Sequence, residues 1–444
     1  MKLNEPGTLD LEFGNNGIAS ITLPNYLNPS VLGVSIIGTG ADRKIYFFGR
    51  CQKKDSDNIY SFNAYLLGRL NSDGTPDSTF GDAGVVIGRF PGDSLTKVEA
   101  MDVQADGKIV LYGVSSFIFP FPVFARYHAD GTLDTTFGNQ GYAEPEIYPD
   151  PPAVQQPIEA SSNESTALYP RDIAQVDVKV LPDGKIVACT TYEFPFSGGQ
   201  SAGMIIRLNE DGSLDIDFNQ LGYALVFHPE YPEHVGGSTS ASAFLVQADG
   251  KYVVSGVAVN RQLPEFWTLF ARLDNIGNPD LQFGTNGYVL FPYEDDLAVG
   301  YNIWHLVSQP NQRILGVGGT HQSALMISLE PSGEPNIQFN AGKPLLTTLD
   351  PDKSTVWLGS AIQSNGRIVV VGGVGETWGD YDLVVARYID AQPDPTFNGG
   401  QGWVRMSSKY GEYFATGVAL QDDGKIVVSA RTANNQCTLL RLHA

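Results

Sequence analysis

A phenylalanine recurs seven times along the chain inside one fixed phrase, and this repetition limits the possible folds more than any other feature. The phrase reads DGTLDTTFGNQG at residues 130–141, DGTPDSTFGDAG at 73–84 and DGSLDIDFNQLG at 211–222. Its phenylalanines are Phe13, Phe80, Phe137, Phe218, Phe283, Phe339 and Phe397. Three residues upstream stand Asp10, Asp77, Asp134, Asp215, Asp280, Asn336 and Asp394; six upstream stand six glycines and, in the last copy, Ala391. A period held over the whole chain is the signature of a repeat architecture.

Two further elements keep the same period. Asp-Gly turns followed by a cation and an apolar run appear at Lys108, Lys185, Lys251 and Lys425, with the same form as Asn-Gly before Arg367 and degenerate copies at Lys44 and Arg313. Short segments such as VFARY, LFARL and VVARY precede the phrase. Seven repeats in 444 residues average about 63 residues each. Within one unit, GVVIGRF, KVEAMDVQADG, KIVLYG and VFARY read as four strands. Their residues are β-branched or aromatic, and Asp-Gly supplies the positive φ of a tight hairpin. No helical period is sustained. The fold class is therefore all-β: a seven-bladed β-propeller of four-stranded antiparallel blades, one domain over residues 1–444, with an insert at 143–172 in one inter-strand loop.

The ends support a closed ring. The chain opens KLNEPGTLDLEFG, matching RLNSDGTPDSTFG at 69–81, and finishes LLRLHA, a segment lacking the phrase that follows it elsewhere. The N-terminal copy thus completes the last repeat. In this reading the phrase is a joint that carries the chain from the outer strand of one blade to the inner strand of the next. Asp10, Asp77, Asp134, Asp215, Asp280 and Asp394 cap its turn and the seven phenylalanines bury themselves beneath it.

The combination VQADGKIVLYG…FARYHADGTLDTTFGNQG resembles the delta-60 repeat of bacterial proteins along essentially the whole chain. That resemblance implies a β-propeller and leaves function largely unassigned, because propellers host unrelated activities.

Composition narrows the function classes. A formal charge of −21 opposes binding to nucleic acid or an anionic membrane, both of which need a basic footprint. Cys51, Cys189 and Cys437 are far apart and form neither a metal spacing nor a disulfide framework. No apolar leader and no 18-residue apolar run is present, so the expected location is the cytoplasm, with release by a non-Sec route as the alternative. The six histidines match no metal motif, and no nucleophile elbow or phosphate loop is found. No cofactor is expected. A Ca2+ ring of the repeated aspartates is the alternative, although the phrase lacks the dense carboxylates of a calcium loop. Glycine pairs such as Gly372-Gly373 read as strand ends.

Antiparallel alternation places the repeated turns on one face and the length variation on the other. The variable loops carry Phe117, Phe119, Phe121, Phe194, Phe196, Trp267 and Trp378, candidate binding aromatics. The expected function is a non-catalytic, monomeric binding or scaffold propeller that presents these loops to a protein partner. A carbohydrate-binding propeller using the same aromatics is the first alternative. A hydrolase or lyase with a central-channel site is the second, and a central cluster of titratable residues with shifted pKa values would favour it.

Overall fold

Four Asp-Gly turns, the Asn365-Gly366 turn and the degenerate turns before Lys44 and Arg313 each make a hairpin between two apolar strands, and the seven hairpins lie in seven antiparallel sheets. A computed structural model describes residues 5–54, 60–91, 96–115, 121–149, 177–194, 200–227, 237–260, 265–292, 301–376, 380–407, 413–433 and 436–444. Blades 1 to 6 span residues 26–88, 97–143, 178–226, 237–292, 302–347 and 354–406. Blade 7 joins the strands of 413–442 to Ile18–Thr22. The chain is a seven-bladed β-propeller.

Blade 2 shows the order of strands: Lys97–Val103 lines the axis, followed outward by Ile109–Ser115, Phe121–Tyr127 and Tyr142–Ala143. The short strand after the phrase pairs with the strand before it, Phe124 opposite Ala143 and Ala125 opposite Tyr142. The phrase therefore turns the chain within a blade, onto its outermost strand, and does not carry it into the next blade as expected. A cyclic four-strand repeat has the same alternation wherever it is cut, so the pattern alone cannot say which strand is innermost.

What does cross between blades is a set of side chains. In blade 2, Asp134 Oδ1 accepts the N–H and the hydroxyl of Thr136, holding the turn, while Oδ2 accepts Arg126 Nε at 2.8 Å. The Arg126 guanidinium lies 4.6 Å from the centre of the Phe137 ring, a cation–π contact, and its Nη1 donates to the Glu210 carbonyl of blade 3. Gly138 N–H donates to Asp211 O, again in blade 3, at 2.7 Å. Phe137 is fully buried against Ala188 and Ile206 of blade 3. Burying a ring of this size stabilises by about 1.5–3 kcal/mol.

The same latch recurs as Arg69 on Asp77, Arg207 on Asp215, Arg272 on Asp280, Arg387 on Asp394 and Arg441 on Asp10. In five of the six latched blades a second cation from the neighbouring strand joins the carboxylate: Lys44, Lys185, Lys251, Arg367 or Lys425, at 2.7–2.9 Å. Blade 5 departs from the pattern. Ser328 replaces the arginine, Asn336 replaces the aspartate and bonds it at 3.0 Å, and Phe339 packs against Ala391 where the other blades have glycine.

The ring closes by strand pairing. Ile18 through Thr22 lie antiparallel to Leu440 through Gln436, so blade 7 takes its outer strand from the beginning of the chain.

A charged cavity in the central channel

Five inner strands contain a β-bulge, where the register slips by one residue: at Leu32, Glu99, Trp304, Leu358 and Thr416. A bulge re-aims a side chain that regular alternation would send between blades. Four of these five residues, all but Leu358, line a cavity of about 220 Å³ on the axis.

The bulge leans on the second strand of its blade. A Cβ on Gly372 would stand 1.9 Å from the Val356 carbonyl, and glycine occupies the same place at Gly49, Gly113, Gly256 and Gly318; Thr190 and Ala430 take it in blades 3 and 7. Gly372 and Gly373 thus lie inside the strand Ile368–Gly375, not at its end as expected. A close backbone approach requires the first of them.

Polar bonds between adjacent blades stitch the channel wall. Arg50 of blade 1 pairs with Glu99 of blade 2 at 2.6 Å. Asp102 Oδ2 accepts Val180 N–H of blade 3 at 2.8 Å, and Thr191 exchanges bonds with the Ala241 backbone of blade 4. Ser242 donates to Ile303 O, His305 Nδ1 meets Ser360 Oγ at 2.9 Å, and Thr416 donates to Val31 O across the closure.

Inside that wall stand Asp102, Asp177, Lys179 and His305. Lys179 Nζ lies 3.6 Å from Asp102 and 3.7 Å from Asp177, so one ammonium faces two carboxylates. Burial pushes the Asp102 pKa up; Asp177 adds to this, while Lys179 and the Val180 N–H oppose it. The charge of Asp177, with that of Asp102, holds the Lys179 ammonium well above its ordinary range. Burial, with the nearby Lys179 charge, drives His305 down to about 4, so its ring is neutral at pH 7. A raised acid and a depressed base in one cavity can accept, donate or bind in ways that exposed copies of the same groups cannot.

Sequence comparison locates the same repeat. The family model described as a domain of unknown function, DUF5122 beta-propeller, matches residues 59–80, 104–137 and 181–218. The chain is a propeller repeat protein. No curated protein sequence matches it. Among solved structures, a Dyadobacter fermentans protein of unknown function is 12% identical, with a TM-score of 0.44, covering 84% of this chain and 98% of its own. Drosophila Semaphorin 2a is 8% identical, with a TM-score of 0.47, covering 100% and 77%. A polysaccharide lyase, an ulvan lyase, is 12% identical, with a TM-score of 0.41, covering 77% and 82%. At these identities the likeness concerns the fold alone.

The residues singled out from the sequence divide into two groups. The latch phenylalanines and five of the latch aspartates are buried, Asp280 is half-buried, and each of the six aspartates already holds an arginine. Among the described residues no group of three or more His, Cys, Asp or Glu could hold a metal ion. Of the loop aromatics, Phe117, Phe119, Phe196 and Trp378 lie outside the described residues. Phe194 is buried, stacked on Phe227 and edge-on to Tyr192. Phe121 is half-buried beside the exposed Tyr148, and Trp267 is half-buried against the core between blades 3 and 4. The three cysteines are buried, and burial lifts the thiols of Cys51 and Cys437 to about 12. No helix among the described residues is long and apolar enough to cross a membrane.

Asp102, Asp177, Lys179 and His305 were not distinguishable as a set in the sequence, since they come from three blades. One signal was available. A glycine recurs five residues after the turn cation in five of the seven repeats, and a lone glycine within a strand marks a bulge or a close backbone approach. That signal coincides with a bulged inner strand in blades 1, 2, 5 and 6; blade 7 bulges with Ala430 in the glycine's place, and the glycine of blade 4 faces the Ser240 carbonyl.

Proposed function

We propose that this propeller binds a small polar ligand in its central channel. The observation that carries this reading is the juxtaposition of Asp102, Asp177, Lys179 and His305 around one 220 Å³ cavity. Concave sites with a few convergent polar groups and shifted pKa values are the usual places for ligands. The volume is below the usual range of roughly 300–1,000 Å³ for drug-sized ligands, which favours a metabolite-sized molecule. The raised Asp102 and neutral His305 also suit proton transfer, so turnover of that ligand by a hydrolase or lyase reaction is a variant of the same reading. Docking of a protein partner or a glycan on the variable loops is the second reading, favoured by the exposed Tyr148 beside Phe121.

One experiment separates them. Ligand-observed NMR with a mixture of small metabolites is run on the native protein, on Ser35→Trp, which plugs the channel lining, and on Trp267→Ala. Signals lost only in Ser35→Trp support the channel. Signals lost only in Trp267→Ala favour the loops, and channel binding untouched by Ser35→Trp overturns the proposal.

A further inference from the structure

Resting on that reading, we infer that the channel ligand is a small organic ammonium ion with an apolar stem. Charge bookkeeping around the cavity points to a cation. Glu99 is neutralised by Arg50, whereas Asp102 and Asp177 share the single ammonium of Lys179. His305 stands uncharged, and blades 4, 6 and 7 contribute only Ala243, Phe244, Gly359, Ser360, Thr416, Gly417 and Val418 to the described lining. Among the described lining residues one negative charge therefore remains without a counterion. An anion would meet that excess charge, and a neutral sugar would leave it uncompensated.

The rest of the lining fits the stem of such a ligand. Phe48, Met101, Phe244 and Trp304 provide the apolar surface. Aromatic faces attract organic cations and pack their methylene groups, whereas they offer a hydrated metal ion nothing in place of its water. The Asp102 pKa, raised first by burial and further by the Asp177 charge against the opposing pull of Lys179, is compatible with the same account. The ligand supplies a counterion, and its binding draws Asp102 toward the ionised form.

The inference is tested by isothermal titration calorimetry with butylammonium chloride, sodium butyrate and glucose. Proteins are the native chain, Asp177→Asn and Lys179→Met, each checked for native circular dichroism. Butylammonium is expected to bind the native protein and butyrate is not. Asp177→Asn should weaken butylammonium by about tenfold, and Lys179→Met, which frees both carboxylates, should tighten it by about tenfold. The opposite signs keep the test decisive if either variant fails to fold. Affinity should also rise with pH through the titration of Asp102. Glucose binding without butylammonium binding overturns the ammonium assignment and leaves the channel reading standing. Absence of binding by all three probes, in a protein whose channel ligands were found by NMR, overturns the assignment alone; absence in both experiments removes both.

Discussion

Arg441 Nε donates to Asp10 Oδ2 at 2.7 Å, joining residues 431 positions apart in the sequence. Lys425 meets the same oxygen at 2.8 Å, and Arg441 also reaches the Ser72 carbonyl of blade 1. The pair thus fastens the last blade to both the beginning of the chain and the first blade. Removing one partner of a buried pair leaves a charge without compensation, at a cost of about 3–5 kcal/mol. Asp10→Ala should lose that amount in urea unfolding, and a loss below about 1 kcal/mol would refute the closing role.

Blade 5 allows a double-mutant cycle. Asn336→Asp places a carboxylate beside Ser328 with no arginine, and Ser328→Arg buries a guanidinium with no carboxylate. Each single variant should be destabilised. The pair together should recover about 1–3 kcal/mol of coupling as it rebuilds the latch found in the other six blades. Additive losses would show that blade 5 cannot house it.

Phe137 is the ring beneath Arg126, sealed by blade 3. Phe137→Ala should cost about 3–5 kcal/mol in urea unfolding. A change below about 1 kcal/mol would contradict burial at the blade interface.

Acid should destabilise the protein in two stages. Burial pushes His305 down to about 4 from an unfolded value of about 6.5, so its contribution is present above pH 6.5 and is lost as pH falls toward 4. For Asp10, Asp134 and Asp394 burial raises the pKa, but it is outweighed by bonds from Lys425, Thr136 and Thr396 and by the arginine charges, leaving each carboxyl below its ordinary range. Their contribution is present above about pH 4 and is lost as pH falls through the folded values. Asp102 has the opposite sign, gaining on acidification because its folded pKa is raised. Urea midpoints at pH 7, 5 and 3 should decline in both intervals, and His305→Gln should flatten the first while leaving the second.

The ring, its blade count and its closure were legible because they depend on phrases that repeat in register: Phe137 and Asp134 are each one of a series. The role of the phrase was only half legible. Its turn-forming residues are local, but Arg126 reaching Glu210 is a contact between repeats, and the strand order that produces it has no signature in alternation. The channel was least legible. Asp102, Lys179 and His305 each occur once, in a different blade, and only the arrangement of the blades about one axis makes them neighbours.

The pairing of Ile18–Thr22 with Gln436–Leu442 also sets an order of events during synthesis. Within the propeller, the first strand to be made is the outer strand of the seventh blade, and its partner Gln436–Leu442 is the last of the propeller's strands in chain order. Throughout translation the segment waits with its backbone donors and acceptors unpaired, an open edge available to any other strand. Blades 1 to 6 can assemble on the nascent chain, but the seventh can form only once Gln436–Leu442 has emerged. The ring is thus completed last, in a step that brings together the segments that are first and last in the order of the propeller's strands.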